Sequence, residues 1–435
     1  MKKPNIITII THDTGRHFGC YGKPGVYTPA IDSIANDGVC LTNLFATSSI
    51  CSPSRGSLFT GSYPQSNGLI GLAGSIWQWE LNDRSQHLAS LLGTAGYNSI
   101  LFGLQHETAN ENVSHLGFSE WRCPHPVETN YDQHKNKPDA IAISKCVADF
   151  IRSYTHRDTP FYAQVGFFET HWPYDLLGAQ TVDYDSIWVP PYADDNGTTR
   201  RHMAQLLGSI RTVDAGVNLI LDALRTSGLE QDTLVIFTAD HGFELPGGPA
   251  HARAKWSMFD PGLEIACLMR WPAGTIGGGR MINALLSNVD ILPTVCDLIN
   301  IDIPDYVDGK SFSSQITSPG SKASQMRDTV YALFVNGGRY MARTSEYKII
   351  LNFNEGFADR SNTRPQPVIE LYDLQNDPLE LYNVDGKPSY KLACADMSKR
   401  LWRWLEDVDD PILHGPVPTP TYNKAIREYR QFRRR

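Results

Sequence analysis

No stretch of this sequence approaches the ~18–20 consecutive apolar residues that a membrane-spanning helix needs, so no membrane partner is expected. The start, Met1-Lys2-Lys3-Pro4, runs straight into the short apolar stretch Asn5-Ile6-Ile7-Thr8-Ile9-Ile10. That stretch is too short for the core of a secretory leader with its cleavage site. As it stands the chain reads as cytoplasmic; it would read as periplasmic or secreted only if a leader had been removed. Close cysteine pairs are also missing. The eight cysteines, at 20, 40, 51, 123, 146, 267, 296 and 394, are scattered, which excludes a zinc knuckle and a dense disulfide framework. Cys40, Cys146, Cys267 and Cys296 sit in apolar runs and read as small core residues. A basic excess is absent too. Net charge is −8, which argues against a broad polyanion-binding surface, and no nucleic-acid partner is expected, but it leaves room for a small basic pocket. The tail Arg433-Arg434-Arg435 reads as a solvated end. There is no internal repeat.

What is present describes a globular chain. It has 435 residues, 41% hydrophobic and 20% charged, enough for one large α/β core and a smaller appended part. Buried strands are predicted at Asn5 to Thr11, Tyr97 to Gly103, Pro160 to Phe168, Thr233 to Thr238 and Glu264 to Trp271. Helices are predicted at Thr28 to Asp37, Ala140 to Tyr154, Met203 to Arg225 and Val289 to Leu298. This alternation implies a mostly parallel sheet between helices, with sites at the carboxyl ends of its strands. The polar candidates obey that rule. His12-Asp13, Gln105-His106, Thr170-His171 and Asp240-His241 each follow a strand, and so converge in space.

Near the end the pattern changes. Thr329 to Val335, Arg339 to Thr344 and Tyr347 to Phe353 read as antiparallel strands, with Asn336-Gly337-Gly338 as a hairpin signal. Ser389 to Leu405 reads as an amphipathic helix carrying Trp402 and Trp404. Ser318-Pro319-Gly320-Ser321 is a plausible link, so the expected division is a catalytic α/β domain, 1–322, and an α+β subdomain, 323–435.

The densest signal is Cys51-Ser52-Pro53-Ser54-Arg55-Gly56-Ser57-Leu58-Phe59-Thr60-Gly61. It reads as a helix entry, where free N–H groups and the dipole favour an anion, and it puts Arg55 one turn beyond Cys51. The run resembles the signature of type I sulfatases. That resemblance implies an alkaline-phosphatase-like core and a Cys51 oxidised by a formylglycine-generating maturation enzyme to formylglycine, whose hydrate attacks sulfur. It further implies that Arg55 holds the hydrate and that a divalent metal is bound by Asp13, Asp240, the matured Cys51 and one or both of His12 and His241. The family usually shows two adjacent aspartates where this chain has His12-Asp13. Ca²⁺ is the family expectation, and the imidazoles bring in Mn²⁺ or Zn²⁺. Many sulfatases carry Lys-x-His where this chain has Leu104-Gln105-His106, so one sulfate-binding cation is missing or comes from elsewhere. Lys255 matches a sulfate-binding position, with His251 and Arg253 nearby, and His171 resembles a histidine near the leaving group.

Leu371-Tyr372-Asp373-Leu374, Asp377-Pro378-Leu379-Glu380 and Asn383 resemble the family's C-terminal signature. The Cys51 run, Gln65-Ser66-Asn67-Gly68 and Trp402-Arg403-Trp404 with Asp410-Pro411 are most similar to the sulfamidase branch, which removes N-linked sulfate from glucosamine. The implied reaction is hydrolysis of a sulfated saccharide, with Lys255 neutralising charge and His171 or His106 protonating the leaving atom. Two other readings keep the chain's features. One is phosphonate or phosphate diester hydrolysis in the same superfamily; the other is a saccharide-binding protein with an unmatured Cys51. Candidate substrate loops at 74–82 and 124–139 carry Trp77, Trp79, His125, Tyr131 and His134, equally typical of packed loops. Oligomeric state is not written in the sequence.

Overall fold

The structure is a computed structural model. It describes residues 3–433 except 75–77, 127–130, 156–157, 176, 179–181, 185–186, 246–254, 319–326, 335–337, 354–366, 416 and 418. At its centre is strand Asn5–Thr11, with every residue buried. Side chains alternate across a strand. Ile6 and Ile10 join one apolar cluster with Leu58, Phe59 and Leu234, while Ile7 and Ile9 join another with Ile143, Val147 and Ile210. A strand that is apolar on both faces has to lie inside a sandwich of helices, and this one does.

The main sheet has eight strands in the order Glu120–Arg122, Asn98–Gly103, Phe161–Gly166, Asn5–Thr11, Thr233–Ala239, Cys267–Arg270, Val39–Leu41, Arg280–Ile282. Pairing is parallel except on the two sides of Cys267–Arg270, the one reversed strand. That strand is shorter than the predicted Glu264 to Trp271. Ile265 N donates to Leu44 O and Ala266 N to Gly15 O, so its first residues are tied to loops beside the site. Helices Pro29–Asp37, Ala140–Ser153 and Gly197–Thr226 cover one face. Asp139 caps the second through Ala142 N (2.7 Å). Asn196 caps the third through Thr198 N (3.0 Å) and Thr199 N (3.1 Å), so the helix begins well before Met203. Its first turns are polar and carry no apolar period, which is why the pattern alone places the start late.

A second sheet is an antiparallel meander of Val330–Phe334, Arg339–Arg343, Tyr347–Asn352 and Ile369–Asp373. Helix Lys391–Asp407 lies on one face through buried Met397, Leu401, Trp404 and Leu405, with Trp404 stacked on Tyr331 at 4.8 Å. Trp402 is instead exposed. The other face packs Val330, Ala332, Phe334, Met341 and Ile350 against Phe45, Ile50, Met258, Phe259 and Leu263. It therefore supports the segments that carry Cys51 and Lys255. Asn336 and Gly337 of the hairpin signal, and residues 319–321 of the link, lie outside the described residues. Among the described residues no helix is long and apolar enough to cross a membrane, and all eight cysteines are free.

Candidate active site

Sheet register brings the polar strand ends together. Thr11 pairs with Ala239, Ile10 with Gly166, and Gly103 with Gly166. The next residues on these strands include His12 and Asp240, and Asp240 N donates to Thr11 O (3.1 Å). Asp13 adopts φ 48°, a left-handed conformation uncommon outside glycine. Its N–H and that of His241 both donate to Asp240 Oδ1, at 2.9 and 2.8 Å.

Helix Cys51–Thr60 arrives from the opposite side, buried along its whole length and ended by Gly61 at φ 70°. The structure starts this helix at Cys51 itself. Cys51 and Arg55 are one turn apart on one face. Cys51 Sγ lies 3.4 Å from His241 Nε2 and 3.7 Å from Asp13 Oδ1. Arg55 Nε donates to Asp240 Oδ2 (3.1 Å). Lys255 Nζ reaches Cys51 Sγ (3.2 Å), Asp13 Oδ2 (3.0 Å) and His171 Nε2 (2.8 Å). His12 Nδ1 is 3.1 Å from Asp240 Oδ2. His106 is half-buried at the edge, its ring 6.1 Å from that of His12. All the predicted site residues therefore gather in one place. His251 and Arg253 lie outside the described residues.

The charges explain the ionisation of the site. Burial alone would raise the carboxyls of Asp13 and Asp240. Lys255 and His241 outweigh it at Asp13, and His12, His241 and Arg55 outweigh it at Asp240, so both stay well below the usual range. Burial likewise would raise the Cys51 thiol, but Lys255 beside it pulls it well down. Burial lowers His12, yet Asp240 pushes it up to about 10. His171 is held down at about 3, by burial and then by Lys255, and stays neutral.

Several supporting residues carry no sequence signal of their own. Glu107 is fully buried, with Oε1 3.6 Å from Arg55 Nη1, and burial raises its carboxyl. Only its place beside His106 hints at the site. Asn288 Nδ2 donates to Ser54 O and Oγ (both 2.9 Å), and Ser54 Oγ donates to Asp240 O. The loop histidines belong to the packed reading: His125 and His134 are buried, hydrogen-bonded to each other (2.8 Å) and stacked on Phe168. Trp79 is buried too. Trp77 and the Tyr131 side chain lie outside the described residues.

The Sulfatase family model matches residues 4–301. The chain belongs to the sulfatase family. A second model, N-sulphoglucosamine sulphohydrolase C-terminal, matches residues 252–407, which places this sulfatase near the sulfamidase branch. It is 27% identical to an ulvan-active sulfatase of Formosa agariphila, over 98% of this chain and 85% of that protein. Human N-sulphoglucosamine sulphohydrolase is 24% identical over 95% of this chain and 92% of its own length. A solved structure described as in complex with its substrate D-glucosamine-2-N,6-O-disulfate superposes with TM-score 0.74 at 20% identity, covering 95% of this chain and 94% of the other. As a sulfatase the chain is a sulfuric ester or sulfamate hydrolase. The family implies a divalent metal and a formylglycine. The residues present fit both. Ligand atoms of Asp13, Cys51, Asp240 and His241 lie within 4.8 Å of one another, and an overlapping group adds His12 and His171. His12 Nε2 and Arg55 Nη2 are buried without a hydrogen-bond partner among the described residues. Cys51 Sγ stands where the oxygens of the hydrated aldehyde would be.

Proposed function

We propose that this sulfatase hydrolyses a sulfate ester or sulfamate of a sulfated saccharide through a formylglycine made from Cys51, with N-sulfoglucosamine as the first candidate. The observation that carries this is the seat of Cys51. Its sulfur opens a buried helix within 3.2–3.7 Å of Lys255, His241 and Asp13. Cys51 is only 1% exposed, so its maturation by a formylglycine-generating enzyme has to precede folding. The match to the sulphoglucosamine sulphohydrolase C-terminal model and the named relatives support a saccharide substrate.

The hydrated aldehyde supplies two hydroxyls on one carbon, one to attack sulfur and one to release sulfate, and the metal supplies a Lewis acid. Asp13, Asp240, His241 and the matured residue would hold the metal, with His12 as a further donor. Two imidazoles beside two carboxylates favour Mn²⁺ or Zn²⁺ over the Ca²⁺ of an all-oxygen site. Thermal melting of the protein with each metal in turn tests this directly, and a larger rise with Ca²⁺ than with Mn²⁺ or Zn²⁺ would reverse the assignment. Arg55 orients the hydrate through its link to Asp240. Lys255 meets the sulfuryl oxygens and offsets the charge that develops on them. The proton for the leaving oxygen or nitrogen would come by way of His171, whose Nε2 takes a hydrogen bond from the Lys255 ammonium and can pass its proton on, with His106 as the alternative.

The test is sulfate release by protein co-expressed with a formylglycine-generating enzyme, conversion being checked by a mass loss of about 18 Da at Cys51. The panel holds N-sulfoglucosamine, 6-O-sulfated glucosamine, sulfated uronic acids and sulfated rhamnose. Release from the N-sulfated sugar alone supports the sulfamidase assignment. Release only from an O-sulfated sugar keeps the chemistry and discards that assignment. No release with Cys51 converted rejects the reading in favour of phosphonate or phosphate diester hydrolysis.

A further inference from the structure

Two large exposed aromatic residues are next in sequence to residues of this site. Trp256 follows Lys255 and is 44% exposed; Trp172 follows His171 and is 48% exposed. Lys255 Nζ and His171 Nε2 are 2.8 Å apart, so each indole leaves the backbone one residue from the same contact. Phe168 and Phe259, by contrast, are buried. Both exposed tryptophans are thus next in sequence to the residues that would face sulfuryl and leaving group.

Trp256 is also held in place. It takes φ 74°, a left-handed conformation that a bulky residue rarely adopts. Such a conformation persists where the surroundings fix it, and it gathers at ligand-binding positions. Here its carbonyl accepts a hydrogen bond from Arg339 Nη1 (3.2 Å). Its ring lies in offset parallel contact with Phe334 (6.3 Å, 9°), itself buried in the second sheet. The indole is thus backed by protein and still open to solvent.

We infer that Trp256 and Trp172 form a stacking subsite for the pyranose ring that carries the sulfate. This rests on the saccharide reading above. Aromatic faces carry a negative quadrupole, and the C–H bonds of a pyranose present a weakly positive, apolar face to it. The cations grip the sulfuryl end while the indoles bear the ring, which sets specificity for ring-bearing over open-chain sulfates.

The test uses matured protein and whichever saccharide of the panel turns over, with ethyl sulfate as the substrate lacking a ring. Trp256→Asn removes the indole while keeping a residue that tolerates the left-handed conformation. Trp256→Phe keeps a ring, and Trp172→Ala removes the second indole. For Trp256→Asn and Trp172→Ala, KM for the saccharide rises by about 3- to 10-fold at nearly unchanged kcat. Trp256→Phe stays close to the parent, and no variant changes turnover of ethyl sulfate. Unchanged saccharide KM in Trp256→Asn and Trp172→Ala, or equal losses on both substrates, overturns the subsite while leaving the sulfatase reading intact. A matured parent enzyme that converts no saccharide of the panel sinks the saccharide reading, and this inference with it.

Discussion

Replacing Arg55 by methionine separates the two jobs that its position implies. The guanidinium is fully buried, 3.1 Å from Asp240 Oδ2 and 3.6 Å from Glu107 Oε1. At an effective dielectric of about 20 and a separation of about 4 Å, each such attraction is worth roughly 4 kcal/mol before desolvation is counted. Removing one partner of a buried ion pair typically costs about 3–5 kcal/mol net, because the other charge is stranded. Asp240 keeps His12 and His241 beside it. Glu107 does not, and its carboxyl is already raised by burial. In Arg55→Met it rises further and takes up a proton. The sign follows: Glu107 is protonated in folded and unfolded chains alike at low pH, so the stability deficit is smallest there and grows as pH rises above 4.5. Urea denaturation at pH 5 and pH 8 reads this out. Arg55→Met with Glu107→Leu should recover most of the stability. It should not recover activity, since loss of a donor aimed at the reacting group costs about 10²–10³ in kcat. Equal deficits at both pH values, or kcat restored with stability in the double variant, would refute the account.

Two further outcomes follow from buried charge elsewhere. Glu169 is buried, accepts from Ala140 N, and is pushed up from 4.5 to about 7 by burial. A raised carboxyl favours the folded state at low pH, so this residue removes up to about 3 kcal/mol of stability as pH climbs from 4.5 to 7. Glu169→Gln should flatten that part of a melting-temperature profile, and an unaltered profile would count against it. Lys348, on the second sheet, is fully buried between Asp260 and Glu380, and Asp260 also takes Arg343 Nη2 at 3.0 Å. Lys348→Met should cost about 3 kcal/mol in denaturation, while Lys348→Met with Glu380→Gln costs less. Similar losses in the single and double variants would mean that the cluster is not coupled.

Much of this site is legible from sequence because the sheet is legible. Apolar runs mark where the strands lie, a parallel sheet sends their carboxyl ends to one edge, and the polar residues after each run then have to meet. His12, Asp13, His171, Asp240 and His241 are found in that way, and Cys51 and Arg55 through one dense helical run. What escapes is burial imposed from a distance. Glu107 looks like a solvated acid beside His106 until Arg55 and Gln164, from separate elements, close over it. Asn288 looks like a turn residue until its amide reaches Ser54. His125 and His134 could not be decided from sequence, since a loop histidine fits a sugar contact and a packed loop equally well until Phe168 is seen stacked on both. The early start of Gly197–Thr226 depends on one cap and not on any apolar period.

The two departures from the sulfatase pattern belong together. His12 stands where the family usually has an aspartate, which removes one negative charge from the metal-facing loop. Leu104, buried at 2% exposure, stands where many members have a lysine, which removes one positive charge from the sulfate-facing side. With His12 pushed up to about 10 beside Asp240, both the charge of the centre and its distribution therefore change. On the proposed assignment the sulfuryl group would lose a hydrated point charge and keep Lys255 and Arg55, with Glu107 drawing part of the Arg55 field away from it. On the metal side His12 would add a second imidazole to that of His241, and softer donors would favour a metal that polarises oxygen more strongly than Ca²⁺. If the two departures compensate each other across one site, restoring aspartate at 12 or lysine at 104 alone should impair turnover more than restoring both together, and additive effects in turnover assays would refute the coupling.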